Sequence, residues 1–116
     1  MYDFRKVITV ANNELGYLEK KSNSQLDEKE KNAGYNNWTK YARDLDRQPD
    51  IYNGNKNGYA WCDVFVDWCF MTAYGKEAMF YLLCQPKDSY GAGCGYSAKY
   101  FRKKGQFFKD NPQIGD

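Results

Sequence analysis

The sequence predicts a mainly α-helical protein of four to five helices with little sheet. Three observations lead there: apolar residues recur at three- and four-residue spacings in separate stretches, glycines close those stretches, and segments dense in Asn, Gly and Pro lie between them. Its 116 residues fit a single domain, 1–116, with no internal repeat or low-complexity tract.

In order along the chain, Phe4, Val7, Ile8, Ala11, Leu15 and Leu18 share one helical spacing, so a first helix is expected within 1–18, with Gly16 as its stop. Residues 19–36 are polar and charged and read as an exposed loop with a short helical turn at 26–31. Over 37–61, Trp38, Tyr41, Ala42 and Leu45 predict a second helix with Asn37 as N-cap, followed by the turn-forming run Pro49 to Gly58. From 62 to 116 a third helix is expected at about Cys62–Ala73, a fourth at 76–83, a Gly/Pro loop at 85–95 and a fifth at 97–104 before Gly105. Gln106-Phe107-Phe108 reads as a short extended piece.

Composition narrows the function. Seventeen basic against fifteen acidic residues leave a net charge of +2, which gives no electrostatic case for nucleic acid. A mean hydropathy of −0.88 and the lack of any apolar run near 20 residues give no case for a membrane span. The N-terminal Met1-Tyr2-Asp3-Phe4-Arg5-Lys6 does not read as a signal peptide, so synthesis in the cytoplasm is expected. Aromatic residues make up 18% of the chain, a content that suits carbohydrate or peptide contact as well as core filling.

The segment Trp61-Cys62-Asp63-Val64-Phe65-Val66-Asp67-Trp68-Cys69-Phe70 carries the candidate chemistry. It sets Cys62 behind an Asn-Gly turn at the start of a helix, where unpaired backbone N–H groups and the helix dipole favour the thiolate. Cys62, Val66, Cys69 and Ala73 share one face, and Cys69 is expected in the core. Asp63 and Asp67, one turn apart on another face, are expected to face solvent. Trp38, Tyr59 and Trp61 are candidates to line a sugar or peptide groove, the alternative being packing between helices. The four cysteines are spaced C-x6-C-x14-C-x9-C without a C-x2-C knuckle or any histidine, so neither a metal site nor a cofactor is expected. Cys84 and Cys94 flank the Gly/Pro loop; two reduced, partly buried thiols are expected there, a disulfide in an oxidising setting being the alternative.

Asn57-Gly58-Tyr59-Ala60-Trp61-Cys62-Asp63-Val64-Phe65-Val66 resembles the nucleophile segment of CHAP-type peptidoglycan hydrolases, the papain-like cysteine amidases and endopeptidases of bacteria and their phages. Leu15-Gly16-Tyr17, Trp38-Thr39-Lys40-Tyr41-Ala42, Tyr96-Ser97-Ala98-Lys99-Tyr100-Phe101 and Asn111-Pro112-Gln113-Ile114-Gly115-Asp116 follow the family's order. The resemblance implies Cys62 as nucleophile, peptidoglycan as partner and substrate, action at the cell wall or outside the cell, and the helical half of a papain-like α+β fold whose antiparallel sheet is largely missing. It also implies a fragment without the catalytic histidine, inactive alone and prone to self-association through the face the sheet would cover. Some CHAP lysins bind calcium ahead of the nucleophile, and Asp44, Asp46 and Asp50 invite that comparison. Gln48 and Pro49, however, interrupt the calcium-loop pattern. The alternative function is a non-catalytic module that binds cell wall or protein.

Overall fold

The computed structural model describes residues 2–86 and 91–113. Among them are five helices: α1 (Phe4–Asn12), α2 (Lys40–Asp46), α3 (Cys62–Tyr74), α4 (Lys76–Leu82) and α5 (Cys94–Lys103). Extended pairing among the described residues is confined to isolated antiparallel bridges of Lys20 with Ala33 and with Trp38. The predicted class is therefore borne out.

Helix α3 is the central element, with α1, α2, α4 and α5 all packed on it. Its buried residues Val64, Trp68 and Cys69 share one core with Tyr41 and Leu45 of α2 and with Met79 and Phe80 of α4. Tyr41 is the hub. Its ring lies 4.8 Å from each of Tyr17, Phe65 and Trp68 and 5.7 Å from Trp61, the tilted and edge-on geometry that aromatic quadrupoles favour. Trp68 Nε1 donates to the Asp44 carboxylate at 2.9 Å, which pins α2 to α3. At the far end Gly75, at φ 92°, both closes α3 and precedes α4, a backbone conformation that favours glycine.

Several boundaries differ from the sequence expectation. Helix α1 ends at Asn12 rather than near residue 18; the chain then turns, Gly16 takes φ 89°, and Leu15 is exposed. Helix α2 starts at Lys40, and its cap is Thr39, whose hydroxyl accepts from Ala42 N at 3.2 Å. Asn37 instead adopts φ 61°, and its backbone N–H donates to Glu19 Oε2 at 2.8 Å. The 26–31 stretch forms turns and bends, with Leu26 buried under the Tyr17 hydroxyl. Helix α5 begins three residues earlier than expected, and 106–108 forms no strand. Part of the 85–95 loop (87–90) and Ile114-Gly115-Asp116 of the C-terminal motif lie outside the described residues.

The 19–36 loop is exposed for most of its length but is tied to the core at Lys20. That side chain is fully buried: its Nζ donates to Lys29 O at 2.9 Å and sits 4.7 Å from the Tyr17 ring centre. Burial pushes its pKa down, because a desolvated ammonium is disfavoured. Gly34 packs so tightly on Lys21 that a Cβ there would meet Lys21 Cβ at 2.5 Å.

Candidate functional site

Cys62 is the first residue of α3, and its side chain is exposed. Trp61, the N-cap residue, makes no side-chain cap hydrogen bond; its carbonyl accepts from Phe65 N at 2.8 Å. The first-turn N–H groups beside the thiol thus have no acceptor within the helix ladder. Trp61 is half-buried, 5.7 Å from the Tyr41 ring and 6.4 Å from Phe65, so the segment carrying the thiol is anchored in the aromatic core.

The other predicted groove residues differ from one another in their surroundings. Tyr59 is 66% exposed on the turn ahead of α3. Trp38 is half-buried and exchanges backbone hydrogen bonds with Lys20. Asn57 Oδ1 accepts from Thr39 N at 3.0 Å, and Gly58 N donates to Asn37 O at 3.2 Å. These bonds dock the turn before Cys62 onto the strand-like segment holding Trp38. Asp46 shapes the same turn, its carboxylate accepting from Lys56 N at 2.8 Å and Asn57 N at 3.2 Å. Asp44 is engaged elsewhere, by Trp68 and Arg43. Asp44 and Asp46 therefore serve separate structural roles, and no cluster of three metal-ligating side chains occurs among the described residues.

Asp63 and Asp67 do not face solvent. Both are buried, at 8% and 1% exposure, because each has a partner far away in the sequence. Asp63 accepts from Gly93 N at 2.8 Å and Ser97 Oγ at 2.7 Å, so one carboxylate of α3 holds the start of α5. Asp67 accepts from the Tyr52 hydroxyl at 2.5 Å. Burial, together with the negative charge of Asp63, pushes its pKa up to about 7, although the Tyr52 hydrogen bond opposes the shift.

This clamp creates a feature the sequence reading missed. Cys94, the first residue of α5, lies with its Sγ 3.4 Å from Cys62 Sγ, and both side chains are exposed. Cys94 thus faces Cys62, and all four cysteines are free thiols. The Cys94 thiol is pushed above the ordinary cysteine range, first by its hydrogen bond with Cys62 and then by the charge of that neighbour. Cys69 lies in the core as expected, where burial raises its pKa to about 12. The sequence held no local signal for the pair, because the two cysteines stand 32 positions apart.

A second feature lies between α4 and the segment after α5. It is an open groove of ≈ 1390 Å³ whose lining includes Phe80, Tyr81, Tyr100, Phe101, Phe107 and Phe108. Among the described residues no helix is long and apolar enough to cross a membrane. Compared with known proteins, the chain matches no family model, no curated protein sequence and no solved structure.

Proposed function

We propose that this chain is the nucleophile-bearing helical part of a cysteine-type peptidoglycan amidase or endopeptidase of the CHAP kind. The observation that supports it most is the placement of Cys62, exposed on the first turn of a 13-residue helix and backed by Trp61 and Tyr41. In this reading the Cys62 thiolate attacks a peptide carbonyl, the N–H groups at the start of α3 stabilise the oxyanion, and water releases the acyl group. Trp61, Tyr59 and Trp38 form the side of the cleft that meets sugar or peptide. The reaction also needs a base to take the thiol proton and an acid to protonate the leaving amine. The sequence contains no histidine, and Asp63 and Asp67 are committed to Gly93, Ser97 and Tyr52. The base therefore comes from outside these 116 residues, and the chain alone is inactive or nearly so. Acid–base help is worth roughly 10²–10⁴-fold in such reactions.

The test is peptidoglycan hydrolysis by this chain beside a form extended through its downstream coding sequence, each with a Cys62→Ser control. Activity confined to the extended form and lost on replacing Cys62 supports the reading. Cys62-dependent turnover by the short chain would refute the external base, and inactivity of both forms would refute the hydrolase.

The aromatic groove favours a second reading, a non-catalytic module that binds cell wall or protein. Tyr81 and Phe108, at 76% and 77% exposure, present rings of the kind that stack on sugars or peptides. Retention on insoluble peptidoglycan, unchanged by Cys62→Ser and weakened by Tyr81→Ala, distinguishes it.

A further inference from the structure

We propose that Cys62 and Cys94 form a redox-active dithiol, an oxidation site at which a small disulfide such as oxidised glutathione drives closure of an internal Cys62–Cys94 bond. The sulfurs lie 3.4 Å apart, and a disulfide needs about 2.05 Å, so each has to move by less than about 1 Å. Both side chains are exposed, which leaves them free to rotate and open to the oxidant. Their backbones are not free. Each cysteine opens a helix of ten residues or more, and the buried Asp63 carboxylate ties the two helix starts together through Gly93 and Ser97. The remaining thiols are placed differently: Cys69 is buried in the core, and Cys84 is half-buried beyond the end of α4.

The chemistry balances as two exchanges. The thiolate of one cysteine attacks a sulfur of oxidised glutathione, forming a protein–glutathione mixed disulfide and expelling one glutathione thiolate. The second cysteine gives its proton to solvent and attacks the protein sulfur of that mixed disulfide. This closes Cys62–Cys94 and expels the second glutathione thiolate. Two protein thiols are oxidised by two electrons, and one oxidised glutathione is reduced to two thiols, which take up the released protons. The dithiol does not depend on the hydrolase reading. If that reading holds, closure removes the nucleophile, so oxidation switches the enzyme off and reduction restores it.

The experiment equilibrates the folded protein in graded mixtures of oxidised and reduced glutathione, quenches with acid, alkylates the remaining thiols and maps peptides by mass spectrometry. The expected product is a Cys62–Cys94 linked peptide pair, with Cys69 and Cys84 alkylated in the wild type and Cys69 alone alkylated in Cys84→Ser. In Cys94→Ser the adduct has no resolving thiol, so glutathione remains on Cys62 at about tenfold or more its wild-type level, because an adjacent thiol acts at a high effective concentration. Three results would overturn the proposal: persistent glutathione adducts on both cysteines of the wild type, a Cys84–Cys94 link, or no oxidation at any ratio. None of these readouts requires peptidoglycan cleavage, so a failed hydrolysis assay and a failed dithiol are separately visible.

Discussion

Cys62 and Cys69 stand seven residues apart on the same side of α3, and their surroundings are opposite. Cys62 is exposed at a helix end with a second sulfur at 3.4 Å. Cys69 is 3% exposed among the aromatic side chains that hold the fold, and burial together with the charge of Glu14 pushes its pKa to about 12. The difference teaches that one helix serves two purposes by changing its environment along its length. Its middle is the hub of the core, and its first turn projects out of it. A reactive thiol has to be partly exposed and near groups that favour the anion, whereas a core thiol behaves as a small hydrophobe.

The most direct way to break that contrast is differential alkylation. Iodoacetamide at pH 8 is expected to label Cys62 readily in the folded protein. Cys69 should label about 10³-fold more slowly than it does in urea, since a pKa near 12 in place of about 8.5 removes that much thiolate. Similar folded and unfolded rates at Cys69 would mean that the middle of α3 opens easily and that the core assignment is wrong.

The second contrast lies between the buried acids. Asp67 has a folded-state pKa of about 7, and its unfolded value is near 3.9. The protonated acid is therefore the form the folded state prefers. Its contribution to stability is fully present below about pH 4 and disappears as pH rises through 7, amounting at most to about 4 kcal/mol over that window. Asp67→Asn keeps an acceptor for Tyr52 without a charge to desolvate. Its unfolding free energy, measured by urea titration from pH 4 to pH 8, is expected to stay flat where the wild type declines. The variant should overtake the wild type at the alkaline end. A wild type with no decline across this range would show that Asp67 ionises freely, and the burial argument would fail.

These sites also show what was legible in the sequence. The apolar spacing and Gly75 placed α3 and α4 well, because both signals are local. The first helix was expected too long, since Leu15 and Leu18 keep the spacing after the chain has turned at 13–16. Thr39 rather than Asn37 caps α2, because the extended backbone at Thr39 lets its hydroxyl reach Ala42 N, a choice between polar residues two positions apart that composition does not make. The aspartates of α3 were expected in solvent because their charge is visible in sequence and their partners are not. Asp63 meets residues 30 and 34 positions away, and Cys62 meets Cys94 across 32. Cys84 and Cys94 drew attention as a pair because they flank one loop, yet proximity along the chain did not decide which sulfurs meet.

The smallest expected effect sharpens that last point. Asp63→Asn preserves shape and removes one acceptor atom, so the side chain retains a single oxygen for two donors, Gly93 N and Ser97 Oγ. Stranding one donor at a buried site costs about 1–3 kcal/mol. Part of that loss should be returned, because Asp63 is one of the groups that push the Asp67 pKa up, and its neutralisation brings that carboxyl back toward its ordinary range. The two changes share a network and are expected not to add: with Asn at position 67 there is no carboxylate left to relieve, so Asp63→Asn should cost more in the Asp67→Asn background than in the wild type. The dithiol offers a readout that stability does not. With the start of α5 loosened, resolution of a glutathione adduct on Cys62 should slow even where the variant stays fully folded. If Asp63→Asn lowers the unfolding midpoint while leaving that rate unchanged, the sulfurs are held together by something other than the carboxylate that joins their helices.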